Sequence, residues 1–404
     1  MKLLFDFISL GVKTGAGEYV RRVFYELTER LRSENLDVKV FALYNSAAPV
    51  VYEDMTKEVL DIPFLDVSQK TIWQIVTENG IDKFFIGCAQ HVGIYPELDK
   101  IDCEVICVTH DLCYEEFYYN RITPLFYLNM KDAEKPAELK LKERLKMRLF
   151  PKTHYDQFVK WYLTIGGIEG IGKNLFMMDN IMKLYNNNPK FHFVVVSDYT
   201  KNSVIYHLGV PAERILVLYS PERLLPNSDI IDNHELADVV SEQKKFFLMV
   251  SCQRKGKNPT KALNALKVYC RHHPDFYAVT IGYGKRLFEH HIDLPFLSDS
   301  DLTNAYIHCY ALLYPSFFEG FGYPPIEAMH YGKPVLCSNV TSMPGIYGDA
   351  PIYFSPMYES DIYSALNSLT EKNYSVFSEK SRTQYNIIKE RQDTDLQLLL
   401  NMLV

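Results

Sequence analysis

The chain has 404 residues, enough for two or three domains that each bury a core of their own. Hydrophobic content of 47% and charged content of 23% are those of a soluble globular protein. A net charge of −7 argues against a general nucleic-acid binder, which would carry a basic excess.

Eight cysteines are scattered without metal-ligand spacing and read as reduced, mostly buried thiols of an intracellular protein. The opening apolar run is too short for a secretory leader, and Asp6 interrupts it. No stretch approaches the apolar length of a membrane span, so the expected location is the cytoplasm.

In chain order, the first strand is expected over Lys2–Ser9, followed by a polar loop with Gly11, Gly15 and Gly17. A helix from about Glu18 to Glu34 puts Val20, Val23, Phe24, Leu27 and Leu31 on one face. Val38–Leu43, Lys83–Gly87 and Glu104–Thr109 read as further strands. Strands alternating with helices imply a parallel, doubly wound sheet. Residues 138–152 form a basic segment, read either as a solvated helix face or as a peripheral contact with anionic lipid. Phe191–Ser197 and Arg214–Leu218 are strands, and the polar stretch 220–243 reads as an interdomain linker.

A second α/β unit opens at Phe246–Val250. A helix near Thr260–Cys270 and the strand Tyr277–Ile281 follow, then Gly282 and Gly284. The expected domains are 1–235 and 236–385, with the helical tail 386–404 packing back on the first. No internal repeat or low-complexity tract is visible.

The densest pattern is the run from Tyr310 to Met329. Tyr310–Tyr314 reads as a buried strand. Gly320 and Gly322 allow a sharp turn and close approach of a ligand to the backbone. Pro324 and Pro325 suit the first turn of a helix, and Gly332 its end. Glu319 is expected on the loop and Glu327 in the first helical turn. A helix N-terminus at the carboxyl end of a parallel strand is where α/β proteins hold anions. Two carboxylates beside such a site suit a ligand with phosphates and hydroxyls, such as a nucleotide sugar.

Tyr314-Pro-Ser-Phe-Phe-Glu319-Gly-Phe-Gly-Tyr-Pro-Pro-Ile-Glu327-Ala-Met, with Tyr331-Gly-Lys-Pro-Val335, Ser342-Met-Pro344 and Gly348-Asp-Ala350, resembles the glycosyltransferases of family 4. The likeness is strongest over residues 246–356. It implies the GT-B fold, two Rossmann-like α/β domains facing a central cleft. It also implies sugar transfer with retention of configuration, without a metal or other cofactor. The partners are a nucleotide-sugar donor and a glycan or lipid-linked acceptor, in polysaccharide or glycoconjugate synthesis. The alternatives are an epimerase-like GT-B enzyme and a non-catalytic nucleotide-sugar-binding member of a glycan-assembly complex.

By the same resemblance, Glu319 binds donor-sugar hydroxyls and Glu327 the ribose, while backbone amides of Gly320, Phe321 and Gly322 face sugar and phosphates. Arg254 and Lys257 clamp the diphosphate, with Lys255 a competing choice. Fixed cations there would stabilise charge building on the leaving group. Gly15 and Gly17 match the N-terminal Gly-rich loop. Val20 stands where a dinucleotide fingerprint needs its third glycine, which counts against a nicotinamide enzyme. His110 matches the family histidine near the reacting sugar, and Ser197, Lys201 and Gly282 line the same donor region.

Asp299-Ser-Asp301 looks like a metal motif, but helix capping explains it better. Gly167–Lys173 looks like a phosphate loop, but Asn174 stands where Ser or Thr should bind magnesium. Gly345 stands where many relatives carry Glu, which is expected to alter local packing or the acceptor-side shape.

Overall fold

The computed structural model describes residues 1–12, 14–47, 62–113, 115–116, 171–226 and 230–404, with the side chains of 171–177 and 255 left aside. The basic segment 138–152 and most of the Gly167–Lys173 stretch lie outside the described residues. Two compact units result: Met1–Leu218 with Leu396–Val404, and Tyr219–Asp395.

The first unit contains β1 (Lys2–Asp6), α1 (Phe7–Leu10), α2 (Gly15–Ser33), β2 (Lys39–Tyr44), β3 (Phe64–Asp66), α3 (Ile72–Asn79) and β4 (Lys83–Ile86). It continues with α4 (Ala89–Val92), β5 (Glu104–Thr109), α5 (Ile171–Asn187), β6 (Phe191–Val195), α6 (Asp198–Leu208) and β7 (Ile215–Val217). Its seven strands run in the order β3-β2-β1-β4-β5-β6-β7, and every pairing is parallel. Chain order reverses between β1 and β4. At such a switch point the loops leaving two neighbouring strands part to opposite faces and open a crevice at their carboxyl ends.

Leu3, Leu4 and Phe5 are all fully buried, as parallel strands covered on both faces require. From α2, Tyr19, Val20, Val23, Phe24 and Leu27 bury completely, and Phe24 meets Phe5 edge-on at 5.2 Å. The first strand ends sooner than expected. Asp6 caps α1 by accepting the N–H of Ser9, so residues 7–10 turn into a short helix. Gly15 and Gly17 likewise lie in the first turn of α2 rather than in a loop before it, while Gly11 caps the end of α1. Gly17 is needed there because a Cβ would lie 1.7 Å from the Val12 carbonyl oxygen.

The second unit holds α7 (His234–Ser241), β8 (Lys245–Met249), α8 (Pro259–His272), β9 (Phe276–Ile281), β10 (His291–Leu294), α9 (Asp299–His308) and β11 (Ala311–Tyr314). Then come α10 (Tyr323–His330), β12 (Val335–Ser338), α11 (Met343–Tyr347), β13 (Ile352–Phe354), α12 (Glu359–Ser368) and α13 (Tyr374–Leu403). The six parallel strands are ordered β10-β9-β8-β11-β12-β13. This switch point lies between β8 and β11. The stretch expected to be linker carries α7, whose Leu236 and Val239 bury in this unit. Among the described residues, no helix is long and apolar enough to cross a membrane. Seven of the eight cysteines are buried and all are free thiols.

Gly17→Ala tests the close approach of α2 to residue 12. Overpacking against backbone predicts a loss of about 1–3 kcal/mol in chemical unfolding. An unchanged midpoint would contradict the packing described.

Candidate functional site

In the second unit, the loops leaving β8 and β11 flank the switch point. The loop after β8 is tightly folded: Arg254 donates its N–H to Ser251 O at 3.1 Å, and Lys257 donates its N–H to Arg254 O at 2.9 Å. Asn258, in the left-handed region at φ 55°, donates its amide to Pro315 O at 3.2 Å and Pro356 O at 3.0 Å. Phe317 N–H donates to Gly256 O at 2.9 Å, which ties the β8 loop to the β11 loop.

This fastening brings Lys257 to Glu319. The ammonium donates to Glu319 Oε1 at 2.5 Å and to Tyr314 OH at 2.6 Å, and sits 4.6 Å from the centre of the Tyr314 ring. Only 10% of the Lys257 side chain and 15% of the Glu319 side chain are exposed, so the pair is largely desolvated. Burial, and then the charge of Glu319, push the Tyr314 hydroxyl well above its ordinary range. Tyr314 therefore stays a neutral partner to both. Glu319 is fixed from behind as well: its N–H donates to Thr341 Oγ1 at 3.1 Å, and its carbonyl accepts from Ser342 Oγ at 2.8 Å.

The turn into α10 is shaped by Gly322, at φ 85°. Tyr347 OH lies 2.9 Å from Phe321 O and 2.7 Å from Gly322 O, and a Cβ on Gly322 would fall 2.4 Å from that hydroxyl. With the carbonyls so held, no described group accepts the N–H of Phe321 or Gly322. The Phe321 side chain is buried and meets Tyr219 edge-on at 5.3 Å. Pro324 and Pro325 occupy the first turn, as their missing N–H groups allow.

Glu327 is the fifth residue of α10 and so stands in the second turn, not the first, because the helix already begins at Tyr323. It is 8% exposed. Glu327 Oε2 accepts from Tyr306 OH at 2.6 Å, and its Oε1 lies 3.6 Å from Arg223. Arg223 also donates to Asp299 at 2.5 Å. Burial and the neighbouring Glu327 raise the Tyr306 hydroxyl well above its usual range. Glu327 is therefore a fixed acceptor, held too deeply to serve merely as a dipole complement.

Arg254 is exposed on the β8 loop. Gly282, at φ 79°, neighbours Gln253 of that loop: a Cβ there would lie 3.1 Å from Gln253 Oε1. Arg254, Lys257, Gly282, Glu319–Gly322 and Glu327 thus share the carboxyl edge of one sheet. Asp299 and Asp301 fall in the first turn of α9, whose cap is Ser298. Asp301 accepts the N–H groups of Asp232 at 2.8 Å and Asn233 at 3.2 Å. Among the described residues, no three His, Cys, Asp or Glu side chains gather to hold a metal. Gly345 is exposed, and a Cβ there would meet open space.

In the first unit, Gly15 opens α2 and the Gly17 N–H donates to Thr14 Oγ1 at 3.5 Å. His110 follows β5. Its Nε2 donates to Gly87 O at 2.9 Å, and its ring meets Tyr19 edge-on at 5.0 Å. Burial pushes the imidazole down to about 4. Ser197 caps α6 by accepting Thr200 N–H at 3.2 Å, and Thr200 Oγ1 donates to His110 O at 3.2 Å. Ser197 thereby braces the His110 loop, and Lys201 lies on α6.

Residues 233–385 match the family described as glycosyl transferases group 1. The chain is 29% identical over 188 residues to O-antigen chain mannosyltransferase B of Escherichia coli, covering 40% of this chain and 47% of that protein. It is 28% identical over 194 residues to O-antigen chain mannosyltransferase RfbU of Salmonella typhimurium, covering 45% and 51%. The chain thus spans about half the length of these curated relatives. Among solved structures, a glycosyltransferase from Rickettsia africae superposes with TM-score 0.62 at 14% identity, over 99% of this chain and 97% of that one. Anabaena HepE in complex with UDP-glucose superposes with TM-score 0.61 at 14% identity, over 99% of each chain. These likenesses establish the fold: it is the GT-B fold.

The Lys257–Glu319 pair makes a stability prediction. Lys257→Ala leaves a desolvated carboxylate uncompensated and is expected to cost about 3–5 kcal/mol. The double variant Lys257→Met, Glu319→Gln should recover most of that loss in urea unfolding. A double variant no more stable than Lys257→Ala would show that the two groups are not coupled.

Proposed function

We propose that the chain is a glycosyltransferase of family 4. It transfers a hexose-type sugar from a nucleotide diphosphate sugar to a glycan or lipid-linked acceptor in polysaccharide biosynthesis, with retention of configuration. The observation that carries this reading is the Lys257–Glu319 pair at the β8/β11 switch point, beside the Phe321 and Gly322 amides and the buried Glu327. Phosphate oxygens need cations and N–H donors, and sugar hydroxyls need fixed acceptors. This edge supplies both within one set of fastened loops. The match of residues 233–385 covers the same elements.

In this reading Arg254 and Lys257 hold the diphosphate and stabilise charge as the glycosidic bond breaks. Glu319 accepts hydroxyls of the donor sugar and orients Lys257. Glu327 accepts ribose hydroxyls, with Tyr306 and Arg223 fixing its carboxylate. Transfer proceeds on one face, the leaving phosphate oxygen taking the acceptor proton, and needs no metal. The names of the curated relatives make mannose the first sugar to test.

The test is a nucleotide-release and product assay over a panel of nucleotide sugars with a glycan acceptor. One donor should support transfer, and Glu319→Gln should lower kcat by about 10²–10³-fold, as losing a preorganised electrostatic group does. Arg254→Ala should lower kcat/KM for the same donor. Full turnover in both variants would refute the site. Separately, the matching nucleoside diphosphate at 100 times its Kd should stabilise the chain by about 2.7 kcal/mol.

A further inference from the structure

The switch point of the first unit carries a second set of polar side chains that the donor reading does not use. Asp6, at the end of β1, is fully buried. Its Oδ1 accepts Ser9 N–H at 2.9 Å, and its Oδ2 accepts Gly87 N–H at 3.1 Å and the Ser9 hydroxyl. A carboxylate that receives two backbone N–H groups is an acceptor, so the Ser9 proton points to Asp6. Ser9 Oγ can then only accept from His91 Nδ1, 3.1 Å away. This fixes the His91 proton on Nδ1 and leaves Nε2 with a lone pair.

His110 is fixed the opposite way. Gly87 O can only accept, so the His110 proton sits on Nε2 and the lone pair on Nδ1. Burial holds both imidazoles below their ordinary range and therefore neutral, although Asp6 opposes that for His91. Both rings are half-buried, and neither His91 Nε2 nor His110 Nδ1 has a partner among the described residues. α4 is anchored at both sides: Gln90 Nε2 donates to Asp111 O at 2.7 Å on the loop that carries His110. Two neutral rings at the carboxyl ends of β1, β4 and β5 thus offer hydrogen-bond acceptors and no charge. Such a pair suits an alcohol and is poor for a phosphate.

We propose that His91 binds a hydroxyl of the acceptor saccharide through Nε2, with Ser9 and Asp6 as positioning residues that hold its ring. This rests on the transferase reading, which leaves a hydroxyl-bearing acceptor as the substrate without assigned ligands. Ser9 and Asp6 act only by fixing the tautomer and orientation of His91.

The test uses the full chain with ¹⁵N-labelled histidine. At pH 7.5, long-range ¹H–¹⁵N spectra should show His91 as the Nδ1–H tautomer and His110 as the Nε2–H tautomer, both neutral. Titration with methyl α-mannoside as a hydroxyl probe should shift the His91 Nε2 resonance. Ser9→Ala should release His91 into a mixture of tautomers. In transfer assays His91→Asn, whose amide can still donate to Ser9, should raise the acceptor KM about 3- to 10-fold, the worth of one hydrogen bond. The donor KM should stay within about two-fold of wild type, which a merely structural role for His91 would not predict. A charged or Nε2–H His91, or an unchanged acceptor KM in His91→Asn, overturns the proposal. If the wild-type chain transfers nothing, the transferase reading fails, while the tautomers and the probe shift still decide the role of His91.

Discussion

A buried ammonium held between a carboxylate and a phenol organises the second unit. Lys257 comes from the loop after β8, while Tyr314 and Glu319 come from β11 and the loop that follows it. The contact can exist only because those two strands are neighbours in the sheet though far apart in sequence. Desolvating a lysine is expensive, and the cost is offset only when its partners are fixed. Thr341, Ser342, Asn258 and Gly256 supply that rigidity by holding the backbone on both sides. Fold and site are therefore not separable here. The reversal of strand order that opens the crevice also brings the charges together.

The same topology appears in the first unit with different chemistry. There the switch point gathers a carboxylate, a hydroxyl and two neutral imidazoles instead of cations. Asp6, at the end of β1, receives N–H groups from Ser9 of α1 and from Gly87 just after β4, so it ties β1 to β4 at the place where the strand order reverses. In the reading proposed above, one sheet edge suits anions and the other suits alcohols.

Much of the architecture was legible in the chain. Runs such as Val105–Val108 and Ala311–Tyr314 are apolar throughout because both faces are covered, as a parallel strand in the middle of a sheet requires. The edge strands Phe64–Asp66, His291–Leu294 and Ile352–Phe354 went unrecognised. Each has only three or four residues, and edge positions need no continuous apolar run. The paired glutamates and Lys257 were legible from spacing and resemblance. Tyr306 and Arg223 were not. Tyr306 is one aromatic on an ordinary helix until the fold sets it against Glu327, and Arg223 lies in a stretch whose polar composition looks like linker. The hydrogen bond from His91 to Ser9, which extends the chain from Asp6, joins positions 82 residues apart and has no local signal at all.

The central claim is that the loops fastened around Lys257 and Glu319 form the seat of a nucleoside diphosphate. Hydrogen exchange of the whole chain, with and without GDP or UDP at saturation, addresses it directly. The account predicts slowed exchange concentrated in residues 251–258 and 317–327, with the Phe321 and Gly322 amides among the most protected. Saturable binding that leaves those two segments unprotected would contradict it.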